Sequence, residues 1–140
     1  MLNGIIPQTW QPQIHAALRI VTGLLFLEHG TSKMLHFPIN DAMAGMYAQM
    51  GAMTTVTALF ELIGGILIII GAFTRVTAFI LAGFMAVAYW TAHVGMSGNV
   101  FPMINQGEAA VLFCFIFLYL AVAGAGPYSV DDSRTNLHSA

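Results

Sequence analysis

The sequence predicts an all-α integral membrane protein: a four-helix bundle with both termini cytoplasmic and a short interfacial helix between its first two spans. Composition, four uninterrupted apolar runs and the placement of the few basic residues carry that prediction. Of 140 residues, 58% are hydrophobic and 7% are charged, whereas soluble domains run at roughly 45–50% and 25%. Four Lys and Arg with six Asp and Glu cannot clothe the exterior of a water-soluble fold. Disorder is excluded for the opposite reason, since low hydrophobicity is its signature. A net charge of −2 leaves no basic footprint for nucleic acid.

The apolar runs cover residues 14–35, 53–73, 76–94 and 108–125. Each holds about the 20 residues that a membrane helix needs, and none alternates as barrel strands do. Residues 1–140 therefore read as a single transmembrane domain. Between the runs lie HFPIND, a tight turn at Thr74-Arg75, GMSGNVFPMINQG and a closing GAGPYSVDD. The N-terminal MLNGIIPQTWQPQIH has no basic region and no A-x-A site follows it, so it reads as a retained segment rather than a cleaved signal. An even number of spans puts Arg19, Arg75 and Arg134 on one side, with Lys33 towards the other. The positive-inside rule makes the first side cytoplasmic, as for a multi-pass protein of a bacterial inner membrane.

Residues 36–52 carry Met43, Met46 and Met50, and Met53 follows at the edge of the next span. This i, i+3, i+7, i+10 spacing marks one helix face. It reads as an interfacial helix resting on the bundle or on lipid headgroups. The alternative is a thioether site for copper(I), with Met34, Met96 and Met103 near the same surface. Cys114 is the single cysteine, which excludes an intrachain disulfide and a cysteine-built metal site.

Ionisable residues inside a span are costly unless paired or wetted, so each is a functional candidate. Arg19 lies near the cytoplasmic start of the first span and reads as a snorkelling anchor. Glu28, His29 and Lys33 share a polar arc of that helix, with Gly23 and Gly30 on its other side for close helix contact. Glu61 stands about 12 Å into the second span. Thr54, Thr57, Ala58, Gly64 and Gly65 share its face, so it points into a helix interface. In the third span the small-residue stripe Ala78, Ala82 and Ala86 leads to His93. Tyr89 and Trp90 lie beside His93 at the level of an aromatic belt. Glu108 opens the fourth span, where the helix dipole favours it.

By depth, all these groups fall in the outer half of the bundle. They form either a structural salt-bridge knot or a functional pocket. The Glu-x-x-His pairs of di-iron bundles are missing, and no metal site is expected. The donor set suits a hydrophobic pocket with a few convergent polar groups. Such a pocket binds the carbonyls of a quinone and relays protons. Glu61, His29, Lys33 and His93 are the catalytic candidates; Glu28, Glu108, Tyr89 and Trp90 are the binding candidates.

The order of motifs along the chain resembles the DoxX family of small four-helix membrane proteins, from about Leu18 to Asp131. The likeness rests on L-R-I-V-T-G and H-G-T-S-K in the first span and on E-L-I-G-G-I-L-I-I-I-G-A-F-T-R from Glu61 to Arg75. It continues with His93, with Gly107-Glu108 and with the closing G-A-G-P-Y-S-V-D. Two positions depart from the pattern: Glu28 replaces an apolar residue, and Pro127 stands where a basic residue is common. The resemblance implies a role beside thiosulfate:quinone oxidoreduction or thiol and oxidant stress, or an assembly role. Its disulfide-handling branch needs cysteine pairs that this chain lacks.

The leading expectation is thus a membrane-bound, quinone-associated redox component of a multi-subunit oxidoreductase. It sits in the lipid bilayer with a protein partner subunit or as a homo-oligomer. A non-catalytic accessory or structural subunit of a larger membrane complex is the alternative, and copper handling a third.

Overall fold

The computed structural model describes residues 7–138, and every regular element among them is helical. The first six residues of the segment read as retained lie outside the described residues. A 3₁₀ turn, Gln8–Trp10, leads into α1 (Gln11–Leu35), followed by α2 (Asp41–Met50), α3 (Ala52–Ile70) and α4 (Thr74–Ser97). Then come α5 (Glu108–Ala123) and α6 (Val130–His138). All four expected apolar runs form helices, and the expected helix between the first two is present as α2. By length and composition α3 and α4 can each cross a membrane, while α5 is apolar but shorter. The described residues divide into two compact units. One holds those up to Ala72 and from Ala125 onward; the other is Phe73–Gly124.

In the first unit α1 packs along α3, and glycine sets how closely. A Cβ on Gly23 would lie 2.9 Å from the backbone nitrogen of Ile69, and one on Gly30 would lie 2.9 Å from that of Leu62. One on Gly65 would lie 3.0 Å from the Leu27 nitrogen. Backbone therefore meets backbone, as in small-residue packing of membrane helices. The partners run in opposite order along the two helices, so α1 and α3 are antiparallel. Lys33 lies on the edge of this glycine face, while Glu28 and His29 are exposed. The polar arc expected from the sequence is therefore divided between interface and exterior.

Arg19 closes the other end of the α1–α3 contact and is fully buried. Its Nε donates to Ala125 O at 2.8 Å, and its Nη1 donates to Ile68 O at 2.9 Å and to Ile69 O. Its Nη2 donates to Tyr128 O at 2.8 Å and Pro127 O at 3.2 Å. The guanidinium thus caps the last carbonyls of α3, where the helix dipole favours a cation, and ties the 125–128 segment to them. It is an anchor, as expected, but one held by backbone carbonyls inside the protein rather than by snorkelling to water.

The turn after α3 falls three residues earlier than the sequence suggested. Gly71, at φ 65°, ends the helix: its N–H donates to Ile68 O and that of Ala72 to Leu67 O. That pair of bonds is a Schellman motif, which glycine accommodates without steric cost. Thr74 and Arg75 instead begin α4. The tail also holds a helix that the sequence did not suggest, α6, where Ser129 Oγ accepts from Asp132 N at 3.1 Å as an N-cap.

In the second unit α4 packs against α5. Ala78, Leu81, Ala82 and Met85 are buried from one helix, and Ala110, Phe113, Phe117 and Leu120 from the other. Arg75 donates to Val122 O and, at 3.3 Å, to Ala121 O, satisfying carbonyls at the end of α5. Residues Tyr89–Val94 of α4 are π-helical, a local widening of the helix that often marks functional sites. Exposed Val76 and Phe79 of α4 and Phe115 and Val122 of α5 are apolar and suited to lipid, as are exposed Ile63 and Ile66 of α3 in the first unit.

Each buried carbonyl left without a donor costs about 1–3 kcal/mol. Arg19→Met is therefore expected to destabilise the protein by at least ~3 kcal/mol, read as a lowered unfolding temperature in detergent. Arg19→Lys should recover little of this, because an ammonium cannot span the carbonyls that the planar fork joins.

Candidate functional site

Glu61 is 4% exposed on the buried face of α3, between Ala58 and Gly65. Its Oε1 accepts from Lys33 Nζ at 2.5 Å. The antiparallel α1–α3 contact forces this meeting, since it sets residue 33 of one helix beside residue 61 of the other. The second carboxylate oxygen, Oε2, is buried and has no hydrogen-bond partner in the protein. An orphaned charged oxygen in a dry interior calls for water, a proton or a ligand.

α2 brings a third participant. Tyr47 is its one buried residue, and its ring lies over the Lys33 ammonium at 5.7 Å, within cation–π range. Its hydroxyl shares a 3.3 Å hydrogen bond with Ser32 Oγ, and its carbonyl accepts from Thr54 Oγ1 at 2.7 Å. Asn40 caps α2, accepting from Met43 N at 2.9 Å. α2 is thereby joined to α1 through the Tyr47 side chain and to α3 through its backbone.

Beside these groups lies a cavity of about 330 Å³, lined by Lys33, His36, Ile39, Ala44, Tyr47, Ala48, Gly51 and Thr54. Lys33 is common to the cavity and to the ion pair, with Glu61 behind it. The lining is mixed: alanine and isoleucine give an apolar wall, and Lys33, His36, Tyr47 and Thr54 give polar atoms. Such a concave site with few polar groups is where a small molecule binds.

The sequence candidates are placed as follows. Glu61 and Lys33 meet. Glu28 and His29 are exposed on α1, one turn before Lys33. Met43 and Met50 are half-buried, and Met46 and Met53 are exposed. His93, Tyr89, Trp90 and Glu108 belong to the second unit. There His93 Nδ1 donates to Asn105 O at 3.1 Å. Tyr89 is buried and stacks on His93 with centroids 6.3 Å apart, while Trp90 and Glu108 are exposed. Sequence reasoning missed Tyr47, Ser32 and His36. Only Tyr47 had a signal: it is the one hydroxylated aromatic in a methionine stripe, four residues after Met43.

The family model for DoxX matches residues 14–94, which include most of α1, all of α2 and α3 and the whole of this site. The chain belongs to the DoxX family. It is a membrane protein, as its family and its exposed apolar helices require. This DoxX protein is 43% identical to an uncharacterized protein of Haemophilus influenzae over 127 residues, 89% of this chain and 93% of the relative. It is 28% identical to "Inner membrane protein YqjF" of Escherichia coli over 113 residues, 81% of this chain and 85% of that one. It is also 28% identical to "Putative oxidoreductase CatD" of Bacillus subtilis over 114 residues, 81% of each chain. No solved structure matches it.

Lys33 is the single lysine of the chain, so its accessibility can be read by amine labelling. Tyr47→Ala is expected to raise the labelling rate of Lys33 by a water-soluble acylating reagent severalfold, as the ring shielding it is removed. Tyr47→Phe keeps the ring and should label at close to the wild-type rate; peptide mass mapping reads both.

Proposed function

We propose that this DoxX protein is a quinone-associated component of a membrane oxidoreductase, with α1, α3, α4 and α5 crossing the bilayer and both termini cytoplasmic. The observation that carries this reading is the buried Lys33–Glu61 pair, with its orphan oxygen, beside a cavity of headgroup size. The relative named as an oxidoreductase and the one named as an inner membrane protein support the same direction. The positive-inside rule supports the orientation, with Arg19, Arg75 and Arg134 on the cytoplasmic side.

The residues present fit a quinone ring. The cavity, about 330 Å³, is at the small end of ligand sites. A bound quinone supplies two-electron, two-proton redox chemistry. Lys33 lines the cavity and donates a hydrogen bond to an acceptor oxygen, while Tyr47 and Ile39 give the ring apolar contact. Glu61 compensates the ammonium charge and holds or releases a proton at Oε2. Tyr47 keeps the ammonium in place between carboxylate and ring. A partner subunit carrying a redox group would supply the electrons.

The accessory-subunit reading has its own observation. Glu28 and His29 are exposed on α1 among exposed Leu24, Leu25 and Leu35, and a polar pair on such a helix suits a protein partner better than lipid.

Solvent extraction of the full-length protein purified in mild detergent decides between the two. A stoichiometric quinone in the extract, with loss of most of it in Glu61→Gln and a lowered unfolding temperature because the Lys33 ammonium is left uncompensated, is the expected result. Quinone-linked turnover of the assembled complex should fall ~100-fold in the same variant. A quinone-free wild type that co-purifies in a fixed complex contradicts the quinone reading and leaves the accessory role.

A further inference from the structure

The connection between α4 and α5, residues 98–107, is built unlike a loop that faces water. It contains no charged residue. Val100, Phe101, Met103 and Ile104 are exposed by 55%, 64%, 80% and 61%. Its two asparagines turn inward instead, while Gln106 is exposed. Asn105 Nδ2 donates to Asn99 O at 2.9 Å, and Asn105 Oδ1 accepts from Gly107 N at 2.8 Å. Phe101 N donates to Asn99 Oδ1 at 2.9 Å, and Phe101 O accepts from Ile104 N at 2.9 Å and Asn105 N at 3.0 Å. Lipid excludes irregular backbone from the hydrocarbon core, so a loop with apolar side chains outside and much of its backbone bonded within suits the edge of that core.

Lengths point the same way. α5 has 16 residues and rises about 24 Å, short of the ~30 Å hydrocarbon core. α4, at 24 residues, rises about 36 Å. The loop folds back along α4 rather than leaving its end. Tyr89 Oη donates to Val100 O at 2.6 Å, and His93 Nδ1 donates to Asn105 O at 3.1 Å. Tyr89 and His93 lie about 12 and 6 Å before the last residue of α4. The exposed side chains of the loop are continuous in sequence with the lipid-suited flank of α4 at Trp90 and Met96.

We infer that residues 98–107 form a re-entrant loop whose Phe101, Met103 and Ile104 lie against lipid at the boundary of headgroups and acyl chains, completing the short span of α5. The occupant of this surface is the bilayer itself. With no basic residue in the loop, the contact is indifferent to lipid charge and to salt. The inference rests on the proposed reading of α4 and α5 as spans.

The test uses the full chain, with Cys114→Ser, reconstituted in phosphatidylcholine vesicles and carrying an environment-sensitive thiol label at Met103→Cys. A second label at Phe115→Cys, in mid-α5, tests the span. The expected result is loss of most of the Met103→Cys label's emission to a nitroxide borne shallow in the acyl chains, with little loss to iodide. The Phe115→Cys label should respond to a deeper nitroxide. Quenching at position 103 by iodide alone overturns the inference, because the loop then stands in water. Shielding from both quenchers also overturns it, because a second chain then covers the surface. A Phe115→Cys label insensitive to every lipid-borne nitroxide overturns the four-span reading, and this inference with it.

Discussion

The close antiparallel contact between α1 and α3 is the constraint on which the rest of the first unit depends. Gly23, Gly30 and Gly65 let the two backbones approach until an added Cβ would collide, and that separation sets the geometry at both ends. At one end the Arg19 guanidinium reaches the terminal carbonyls of α3; at the other the Lys33 ammonium reaches the Glu61 carboxylate. Lipid offers no hydrophobic force to hold helices together, so backbone packing and buried polar contacts must do it. A bulkier residue at any notch would loosen both polar contacts together.

The two buried cations differ in kind. All five contacts of Arg19 are backbone carbonyls, so its role is to close the fold. Lys33 has one carboxylate oxygen, one aromatic face and a cavity, and its partner keeps an unpartnered oxygen. A buried ion pair adds little stability over apolar packing, because desolvation offsets the attraction. An incompletely satisfied one adds less still. On the proposed function its place at a cavity wall serves chemistry rather than stability, and that separates the site from the anchor.

Much of this was legible in the sequence because it follows from local pattern. Apolar runs of membrane length gave the helices, the i, i+3, i+7 spacing gave α2, and the small residues around Glu61 gave its burial. The glycines of α1 signalled a close contact, though not its partner. What was not legible depends on distant chain. Arg19 bonds carbonyls from residues 68 to 128, and carbonyls have no sequence signature. Tyr47 stands among the methionines of α2, and only the fold sets its ring over Lys33. The end of α3 was misplaced because apolar residues continue through Ala72 and Phe73, while Gly71 alone decides the turn. The π-helical turn at Tyr89–Val94 and the internally bonded loop beyond it likewise depend on contacts, not on periodicity.

On the proposed function, the Lys33–Glu61 pair is there for what it binds rather than for what it stabilises. Replacing both members by apolar residues of similar size, Lys33→Met with Glu61→Leu, separates the two roles, because neither charge is left unpaired. The measurement is thermal unfolding in detergent together with bound quinone in the same preparation. The expected result is an unfolding temperature equal to or above that of the wild type, with the quinone gone. An unfolding temperature lowered by many degrees, or quinone retained at the wild-type level, would contradict it.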